Sequence, residues 1–488
     1  MKTTSSPKNL LLILSDEHNP KVMGCAGHPD VLTPNLDFLA SRGRRFINAT
    51  CASPICVPAR AALATGRNVF ELETWDNVTA YDGVVKSWHH ILRESGHEVN
   101  SIGKLHYRGW ESDDYGFSDS ILPMHIHAGR GEIRMLLREN PVTDGSKFLQ
   151  LAGPGISSYN EYDAAIVDSA VDWLRTQADK GHNKPWVLLV SLVAPHFPLT
   201  APPEYYSLYA NKDLQLPKDY HFGLNPTAHP YVRQYGSTTP YNLHFKSEQD
   251  VHRALCGYYG LVSYLDAQIG KLLDVLEETS LASTTRILYT SDHGDNAGAR
   301  GLWGKSTMYA ESVGVPLIIS DLDNDGDSIE ANKIEEAAVN HIDIFKTALD
   351  SVGCDNGTNF ASPRSQSLLQ PLDPARITFS EYHTTGSSSG IYMLQNSKTK
   401  YVFYCDLPNE FFDLSIDPEE MNNLIDDPTR EEEIGLWRTR LFEICDPFEI
   451  DSLAKHKQQE QIELYGGRDA ILKSNGIGGF SPPPKQSS

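Results

Sequence analysis

Short, continuous apolar runs alternate with amphipathic stretches along the chain up to about residue 355. Runs of this length, apolar on both faces, are typical of strands buried in a parallel sheet. They predict strands at 9–15, 186–193, 286–291 and 315–320, and a stripe of apolar residues with helical spacing predicts a long helix over 247–278. This alternation predicts an α/β fold with a large, mostly parallel sheet flanked by helices.

The pattern changes after about residue 355, where short apolar strands follow one another without helices between them. These strands are expected at 377–382, 390–394 and 400–404, and a helix is expected at 432–444. We therefore expect a catalytic domain over 1–360 and a smaller C-terminal α+β domain with an antiparallel sheet over 361–445.

Three further segments differ from this alternation of strands and helices. Residues 111–158, rich in Gly, His, Asp and Pro, predict an active-site insertion, and residues 202–241, rich in Pro and Tyr, predict a covering loop. The polar tail over 446–488 is a candidate for contacts with a second subunit in a homo-oligomer.

The composition excludes several classes of partner. A formal net charge of −22 argues against nucleic acid and against anionic membrane surfaces.

The apolar run at 10–14 is too short for the core of a signal peptide, and no run reaches the length of a membrane span. The seven cysteines are an odd number without the spacing of a disulfide framework, so we expect reduced thiols and a cytoplasmic protein.

Acidic and histidine side chains follow two of the predicted strands directly. Asp16 and Glu17 end the first strand, and Asp292 and His293 end the strand at 286–291. Polar residues at the carboxyl ends of parallel strands are where open α/β sheets bind ligands. Each pair alone is also typical of a turn or cap, but two such pairs behind buried strands predict a site for Ca²⁺, Mg²⁺ or Mn²⁺, and the histidine slightly favours Mn²⁺.

The segment 53–67 reads SPICVPARAALATGR and contains a third candidate site. Pro58 suits the first turn of a helix, and the alanines that follow are strong helix formers. Cys56 is thereby expected at a helix N-terminus, where an anion is stabilised. A buried cysteine in front of an ordinary helix is the alternative interpretation of this segment alone.

The spacing of Cys56, Pro58 and Arg60 before Thr65-Gly66-Arg67 resembles the modification signature of the type I sulfatases of the alkaline phosphatase superfamily. The resemblance extends to about residue 445, and it is nearest the choline-sulfatase and phosphonate monoester hydrolase-like branch. It implies an alkaline-phosphatase-like fold and a cysteine, Cys56, that a formylglycine-generating enzyme oxidises to formylglycine.

The same resemblance implies one divalent metal, with Ca²⁺ as the first expectation and Mn²⁺ or Mg²⁺ as alternatives. Glu17 is included among the candidate ligands, although it stands where the family more commonly has an aspartate. The full set of candidate ligands is Asp16, Glu17, Cys56, Asp292 and His293.

The remaining family motifs assign catalytic and substrate-binding roles. Lys104 and Lys305 match the two sulfate-binding lysines, His106 the histidine that contacts the formylglycine, and His196 a histidine beside the substrate oxygens. Arg60 is implied to stabilise the formylglycine, and Asn77 resembles a substrate-side asparagine, with a solvated turn as the alternative.

The family mechanism then assigns the steps to these groups. One hydroxyl of the aldehyde hydrate attacks sulfur, and His196 or Lys305 protonates the leaving alcohol. His106 next removes the proton of the second hydroxyl, and sulfate is expelled.

We therefore expect a hydrolase that cleaves a sulfate monoester of a small alcohol, sugar or phenol, with choline sulfate as one candidate. The first alternative is a phosphonate monoester or phosphodiester hydrolase with the same formylglycine. Those relatives usually carry hydroxyl residues where this chain has Lys104 and His106, which favours the sulfatase. The second alternative is a catalytically inactive, metal-binding member of the family.

Overall fold

The structure is a computed structural model that describes residues 6–140, 143–181, 183–323, 329–474 and 481–484. Its strands are β1 (Asn9–Asp16), β2 (Gly43–Phe46), β3 (Ala49–Thr50), β4 (Val99–Lys104), β5 (Asp119–Met124), β6 (Gly153–Pro154), β7 (Val187–Pro195), β8 (Thr200–Ala201), β9 (Thr285–Ser291), β10 (Leu317–Asp321), β11 (Lys333–Glu335), β12 (Val339–Asn340), β13 (Thr378–Tyr382), β14 (Ile391–Gln395), β15 (Thr399–Tyr404) and β16 (Glu410–Asp413).

The α-helices join these strands and pack on them. They are α1 (Pro34–Arg42), α2 (Cys56–Thr65), α3 (Val69–Leu72), α4 (Trp88–Glu94), α5 (Ser146–Gln150), α6 (Ser158–Asp179), α7 (Pro203–Tyr206), α8 (Pro230–Thr238), α9 (Glu248–Glu278), α10 (Ala310–Val313), α11 (Asp343–Ser351), α12 (Glu431–Ile444), α13 (Pro447–Leu464) and α14 (Arg468–Lys473).

An eight-stranded sheet with the order β11-β2-β10-β9-β1-β7-β4-β5 forms the centre of the molecule. Neighbouring strands run parallel except where β10 pairs with β9 and with β2. The prediction of a large, mostly parallel sheet is therefore confirmed. Because five neighbouring parallel strands end at one edge, their polar terminal residues lie side by side there.

The first strand shows why its apolar run has no polar gaps. Leu10, Leu12 and Leu14 pack into the core on one face of the sheet, with α2, α4 and α11. Leu11 and Ile13 pack on the opposite face, with α6 and α9. Side chains alternate between the two faces of a strand, so a strand covered by helices on both faces must be apolar at every position.

The predicted insertion and covering loop contain regular structure that their sequences do not indicate. β5, inside 111–158, is the edge strand of the large sheet and pairs with β4 in parallel. Its side chains are mostly half-exposed, and Pro123 interrupts its apolar pattern, so the sequence carries no clear strand signal there. The covering loop includes the helices α7 and α8.

The C-terminal part contains the predicted antiparallel sheet, with the order β13-β14-β15-β16. α12 packs on it through Trp437 and Leu441, which lie in one apolar cluster with Phe411. Much of the polar tail forms α13, which packs against the same chain, since the buried Ala454 lies in a cluster with Val69 and Trp75. A contact between the tail and a second subunit stays a prediction. Among the described helices, none combines the length and apolarity that crossing a bilayer requires.

A buried ion pair joins the C-terminal sheet to the main body of the chain. Lys400 on β15 and Glu420 are paired, and both side chains are fully buried. The Lys400 ammonium also donates to the carbonyl of Met308 at 2.9 Å, and Glu420 accepts from the N–H of Ala310 at 2.9 Å. Burial lowers the pKa of Lys400, and Glu420 opposes that shift.

We expect Glu420→Ala to lower the free energy of unfolding by about 3–5 kcal/mol, because it leaves the Lys400 charge buried without its partner. Glu419→Ala is the matched control, since the Glu419 side chain is 51% exposed and its ion pairs are worth less than about 1 kcal/mol. Thermal unfolding of both variants measures the difference. Equal losses of stability in the two variants would contradict the importance of the buried pair.

Candidate active site

Four strand ends and the start of α2 bring the predicted site residues to one cavity. Asp16, Lys104 and His196 come from the ends of β1, β4 and β7, and Asp292 follows β9 directly. The cavity has a volume of about 90 Å³. Six of the predicted residues line it: Cys56, Asn77, Lys104, His106, His196 and Lys305.

Cys56 is the first residue of α2 and is buried there. Its Sγ lies 3.2 Å from Nε2 of His293, 3.2 Å from Nζ of Lys305 and 3.8 Å from Oδ1 of Asp16. Burial, followed by the negative charge of Asp16, raises the pKa of the Cys56 thiol to about 11. An unmodified Cys56 is therefore a protonated thiol at neutral pH and a poor nucleophile.

The end of α2 explains the glycine in the sequence signature. Gly66 caps the helix with φ of 66°, in the left-handed region that favours glycine. A Cβ atom there would lie 2.7 Å from the Cβ atoms of Phe345 and Ala361. Gly66 thus lets α2 end tightly against the core.

The guanidinium of Arg60 joins the two acidic strand ends. Nε donates to Oδ2 of Asp292 at 2.7 Å, and one terminal nitrogen donates to Oδ2 of Asp16 at 2.8 Å. The other terminal nitrogen donates to the carbonyl of Lys104 at 2.7 Å and to the hydroxyl of Ser191 at 3.0 Å. Arg60 thus hydrogen-bonds to both carboxylates, and its predicted role toward the formylglycine at position 56 stays a prediction.

A candidate metal centre lies beside Cys56. One ligand atom from each of Asp16, Cys56, Asp292 and His293 lies within 4.8 Å of the other three. Nδ1 of His293 lies 3.0 Å from the carbonyl of Gly294, which can only accept a hydrogen bond. Nδ1 therefore carries the proton, and the lone pair of Nε2 faces the centre, which is the arrangement of metal-ligating histidines. Two carboxylates and an imidazole in this arrangement fit a divalent cation.

Glu17 is not part of this set of four potential ligands. The second set of potential ligand atoms consists of Asp16, Glu17 and His196. The Glu17 carboxylate lies 3.2 Å from Nζ of Lys305 and 3.3 Å from Nε2 of His196. Burial raises the pKa of Glu17 well above its usual value, although the charge of Lys305 opposes the shift.

His196 is oriented by its own backbone neighbour. Its Nδ1 lies 2.6 Å from the carbonyl of Phe197, so Nδ1 carries a proton. Burial, with the positive charge of Lys305, lowers the pKa of His196 well below its usual value. In the neutral ring, Nε2 has a free lone pair. A single proton shared between Nε2 and the Glu17 carboxylate therefore makes their contact a hydrogen bond.

Two lysines give the cavity its positive charge. Nζ of Lys104 lies 2.7 Å from Oδ2 of Asp16, and both side chains are fully buried. Burial alone would raise the pKa of Asp16, but Lys104, His196 and Arg60 hold it well below its usual value. Lys305 keeps its proton, because the effect of burial on its pKa is outweighed by Cys56 and Glu17.

His106 is the ring least tied to its surroundings. It is buried, and neither ring nitrogen has a hydrogen-bond partner among the described residues. Burial and the charge of Lys104 lower the pKa of His106 well below its usual value. A neutral imidazole that faces the cavity is available to accept a proton.

Other lining residues were not predicted from the sequence. Among them are residues of the insertion, of α6, of the covering loop, of β13 and the segment after it, and of the tail: Glu132, Met135, Tyr159, Tyr235, Tyr241, Tyr382, Thr385 and Ser481. The Tyr159 hydroxyl donates to the carbonyl of Ser481 at 2.6 Å, which holds the chain end beside the cavity. The sequence signals for them were regional: the predicted active-site insertion contains Glu132 and Met135, and the Pro- and Tyr-rich covering loop contains Tyr235 and Tyr241.

Comparison with known proteins identifies the family. The sulfatase family model matches residues 8–354, and the model for the C-terminal part of N-sulphoglucosamine sulphohydrolase matches residues 298–462. Choline-sulfatase of Rhizobium meliloti (strain 1021) is 29% identical over 87% of this chain and 84% of its own length. Arylsulfatase K of Bos taurus is 28% identical over 85% of this chain and 78% of its own length.

Solved structures show the same fold. The phosphonate monoester hydrolase of Agrobacterium radiobacter superposes with a TM-score of 0.72 and 21% identity, over 89% of this chain and 95% of that one. A protein in complex with its substrate D-glucosamine-2-N,6-O-disulfate superposes with a TM-score of 0.68 and 21% identity, over 96% of this chain and 100% of that one. Since the sulfatase model matches more than half of the chain, the protein belongs to the sulfatase family of the alkaline phosphatase superfamily.

Proposed function

We propose that the protein hydrolyses a sulfate monoester of a small alcohol, sugar or phenol, with a formylglycine made from Cys56 and one divalent metal. The observation that carries the proposal is the convergence of two lysines and two histidines on the cavity around Cys56. A buried metal-donor set lies beside it. Lys104, His106, His196 and Lys305 all line this cavity.

The residues around the cavity fit both a formylglycine at position 56 and a divalent metal. A formylglycine-generating enzyme would act on Cys56, and the aldehyde hydrate would supply the nucleophilic oxygen, acidified by the metal. Asp16, Asp292 and His293, with residue 56, would hold the metal, for which Ca²⁺ is the first candidate and Mn²⁺ or Mg²⁺ the alternatives. Glu17 is better suited to pairing with Lys305 and His196 than to that set.

The charged side chains of the chain stabilise the reacting group. Lys104 and Lys305 are cations that line the cavity with Cys56 and would bind the non-bridging oxygens of the sulfate. Because Lys104 is fully buried and the Lys305 side chain is only 12% exposed, they act in a region of low dielectric, where a fixed charge is worth more than in water. Arg60 holds Asp16 and Asp292 in place, so that their other oxygens stay directed at the metal centre.

The protons have identifiable sources and acceptors. The neutral ring of His106 would take the proton that must leave the enzyme's hydroxyl before sulfate is released. The leaving oxygen would receive its proton from Lys305 or from the proton that His196 and Glu17 share. The two candidate donors lie close to each other, because the Glu17 carboxylate contacts both.

The presence of Lys104 and His106 favours sulfate over phosphonate as the ester. Turnover of phenyl sulfate and of phenyl phosphonate by the same preparation separates the two functions. Choline sulfate and sulfated monosaccharides belong in the same assay, since one relative of this chain is a choline-sulfatase. Faster turnover of phenyl phosphonate than of every sulfate ester would contradict the proposal.

We expect Cys56→Ala to abolish sulfate release, because the methyl group of alanine can neither be converted to the aldehyde nor act as a nucleophile. Cys256→Ala, in α9, is the control and should keep wild-type activity. Mass spectrometry of the peptide around position 56 should show an aldehyde in the active enzyme. A fully active preparation in which Cys56 is an unmodified thiol would contradict the proposed chemistry.

We expect removal of divalent metal by a chelator to reduce sulfate release to a few per cent or less, because the centre then lacks the charge that acidifies the nucleophile. Stepwise addition of Ca²⁺, Mn²⁺ or Mg²⁺ should restore activity and identify the ion. Metal content per chain, measured by mass spectrometry, should fall in His293→Ala as well. Full activity in metal-free enzyme would exclude the proposed centre.

We expect His106→Asn to lower kcat by about 10²- to 10⁴-fold, the usual contribution of a positioned base. Because the base acts as the neutral ring and its pKa is lowered, wild-type kcat should stay level from pH 8 down to about pH 6.5, and the step that depends on His106 slows only below that. His127→Asn, at an exposed position of the insertion, is the control. Equal kcat in the two variants would exclude His106 as the base.

A further inference from the structure

A helix from the polar tail lies directly behind the cavity wall. In α13, Ala454 is fully buried against Val69 and Trp75, the residue that precedes Asp76. Gln458, one turn further along α13, is only 3% exposed. Buried amides are rare unless all their polar atoms are satisfied, so the partners of Gln458 show what it holds.

Every polar group of the Gln458 amide is engaged. Nε2 donates to Oδ2 of Asp76 at 2.8 Å and to the carbonyl of His383 at 3.0 Å. Oε1 accepts from Nε of Arg138 at 2.8 Å. Arg138 is tied in turn to Asp451, on the same helix, at 3.2 Å. Gln458 thereby connects α13, the insertion, the C-terminal sheet and the segment after α3.

Asp76 links Gln458 to the turn that follows Asp76. The side chain is fully buried, and its Oδ1 accepts from the N–H groups of Val78 at 2.9 Å and Thr79 at 3.0 Å. Its other oxygen faces Gln458. Oδ1 therefore fixes the backbone that follows Asn77, and Oδ2 ties Asp76, the residue before Asn77, to α13.

Asn77 is the residue of this turn that reaches the active site. Its Oδ1 accepts from the N–H of Val57, the residue after Cys56, at 3.0 Å, and it lines the cavity. On the other side, the backbone of Gly131 packs closely on the Asn77 carbonyl, since a Cβ atom at Gly131 would lie 2.0 Å from that oxygen. Asn77 is thus fixed between the start of α2 and the insertion.

We propose that Gln458 is a positioning residue of the active site, which acts through Asp76 to hold the Asn77 amide in the cavity. The proposal rests on the proposed function, because it assigns α13 a part in the same ester-binding cavity. It differs from a purely structural role, which would affect the stability of the chain without acting through Asn77.

The primary test compares Gln458→Met with Gln459→Met. Methionine keeps the length of the side chain and suits a helix, but it cannot donate to Asp76. The Gln459 side chain is exposed and, among the described residues, is bonded to Glu463, one turn further along α13, so its replacement controls for the change in composition. We expect kcat/KM to fall about tenfold to a hundredfold in Gln458→Met, the cost of a misplaced contact, and to stay unchanged in Gln459→Met.

A double-mutant cycle with Asn77→Ala decides whether Gln458 acts through Asn77. We expect Gln458→Met to change kcat/KM less than twofold when Asn77 is already alanine. An equal fall in both backgrounds, or no fall in the wild-type background, would overturn the proposal. Asp76→Asn breaks the same link from the other side, and it replaces Gln458→Met in the cycle if that variant does not fold.

Binding of inorganic sulfate gives a second readout that needs no turnover. It is measured by calorimetry on the four proteins of the cycle: the wild type, Gln458→Met, Asn77→Ala and the double variant. Weaker binding in Gln458→Met, with no further loss in the double variant, is the expected result. Additive losses would overturn the positioning role even in a protein that hydrolyses no sulfate ester. Absence of sulfate ester hydrolysis by the wild type contradicts the proposed function instead, so the two failures are distinguishable.

Discussion

The active site depends on the burial of several charges of opposite sign within a few ångströms. Arg60 pairs with both Asp16 and Asp292, and Lys104 pairs with Asp16 as well. A buried charge without a partner costs several kcal/mol, so each of these groups is tolerated only because the others are present. A chain with a net charge of −22 thereby collects cations at one point, where an anionic ester and a metal can both be stabilised.

The parallel sheet makes this clustering possible. Strands that lie far apart in the sequence end at the same edge, so a polar residue after each strand contributes to a single site. α2 begins at that edge and places Cys56 beside Lys305 and His293, within the candidate metal centre. The apolar body of each strand supports these residues on both sides, since the core clusters above and below the sheet fix the positions at which the strands end.

The C-terminal part contributes to the same cavity in a different way. Tyr382 and Thr385 line it from the antiparallel sheet, and Ser481 lines it from the chain end. The buried pair of Lys400 and Glu420 fixes that sheet to the segment that follows Lys305. Part of the cavity wall is therefore built from segments that carry no recognisable motif.

The sequence by itself indicated the family, the mostly parallel sheet and the residues of the candidate site. Asp16, Asp292 and His293 follow apolar runs directly, and the motif around Cys56 has a fixed local spacing, so each could be recognised from neighbouring residues. The tertiary structure alone decided the pairing of Glu17 with Lys305 and His196, the position of Arg60 between two carboxylates, and the contact of Gln458 with Asp76. These contacts join residues up to 382 positions apart and depend on packing rather than on local propensity, which is why no pattern along the chain predicts them.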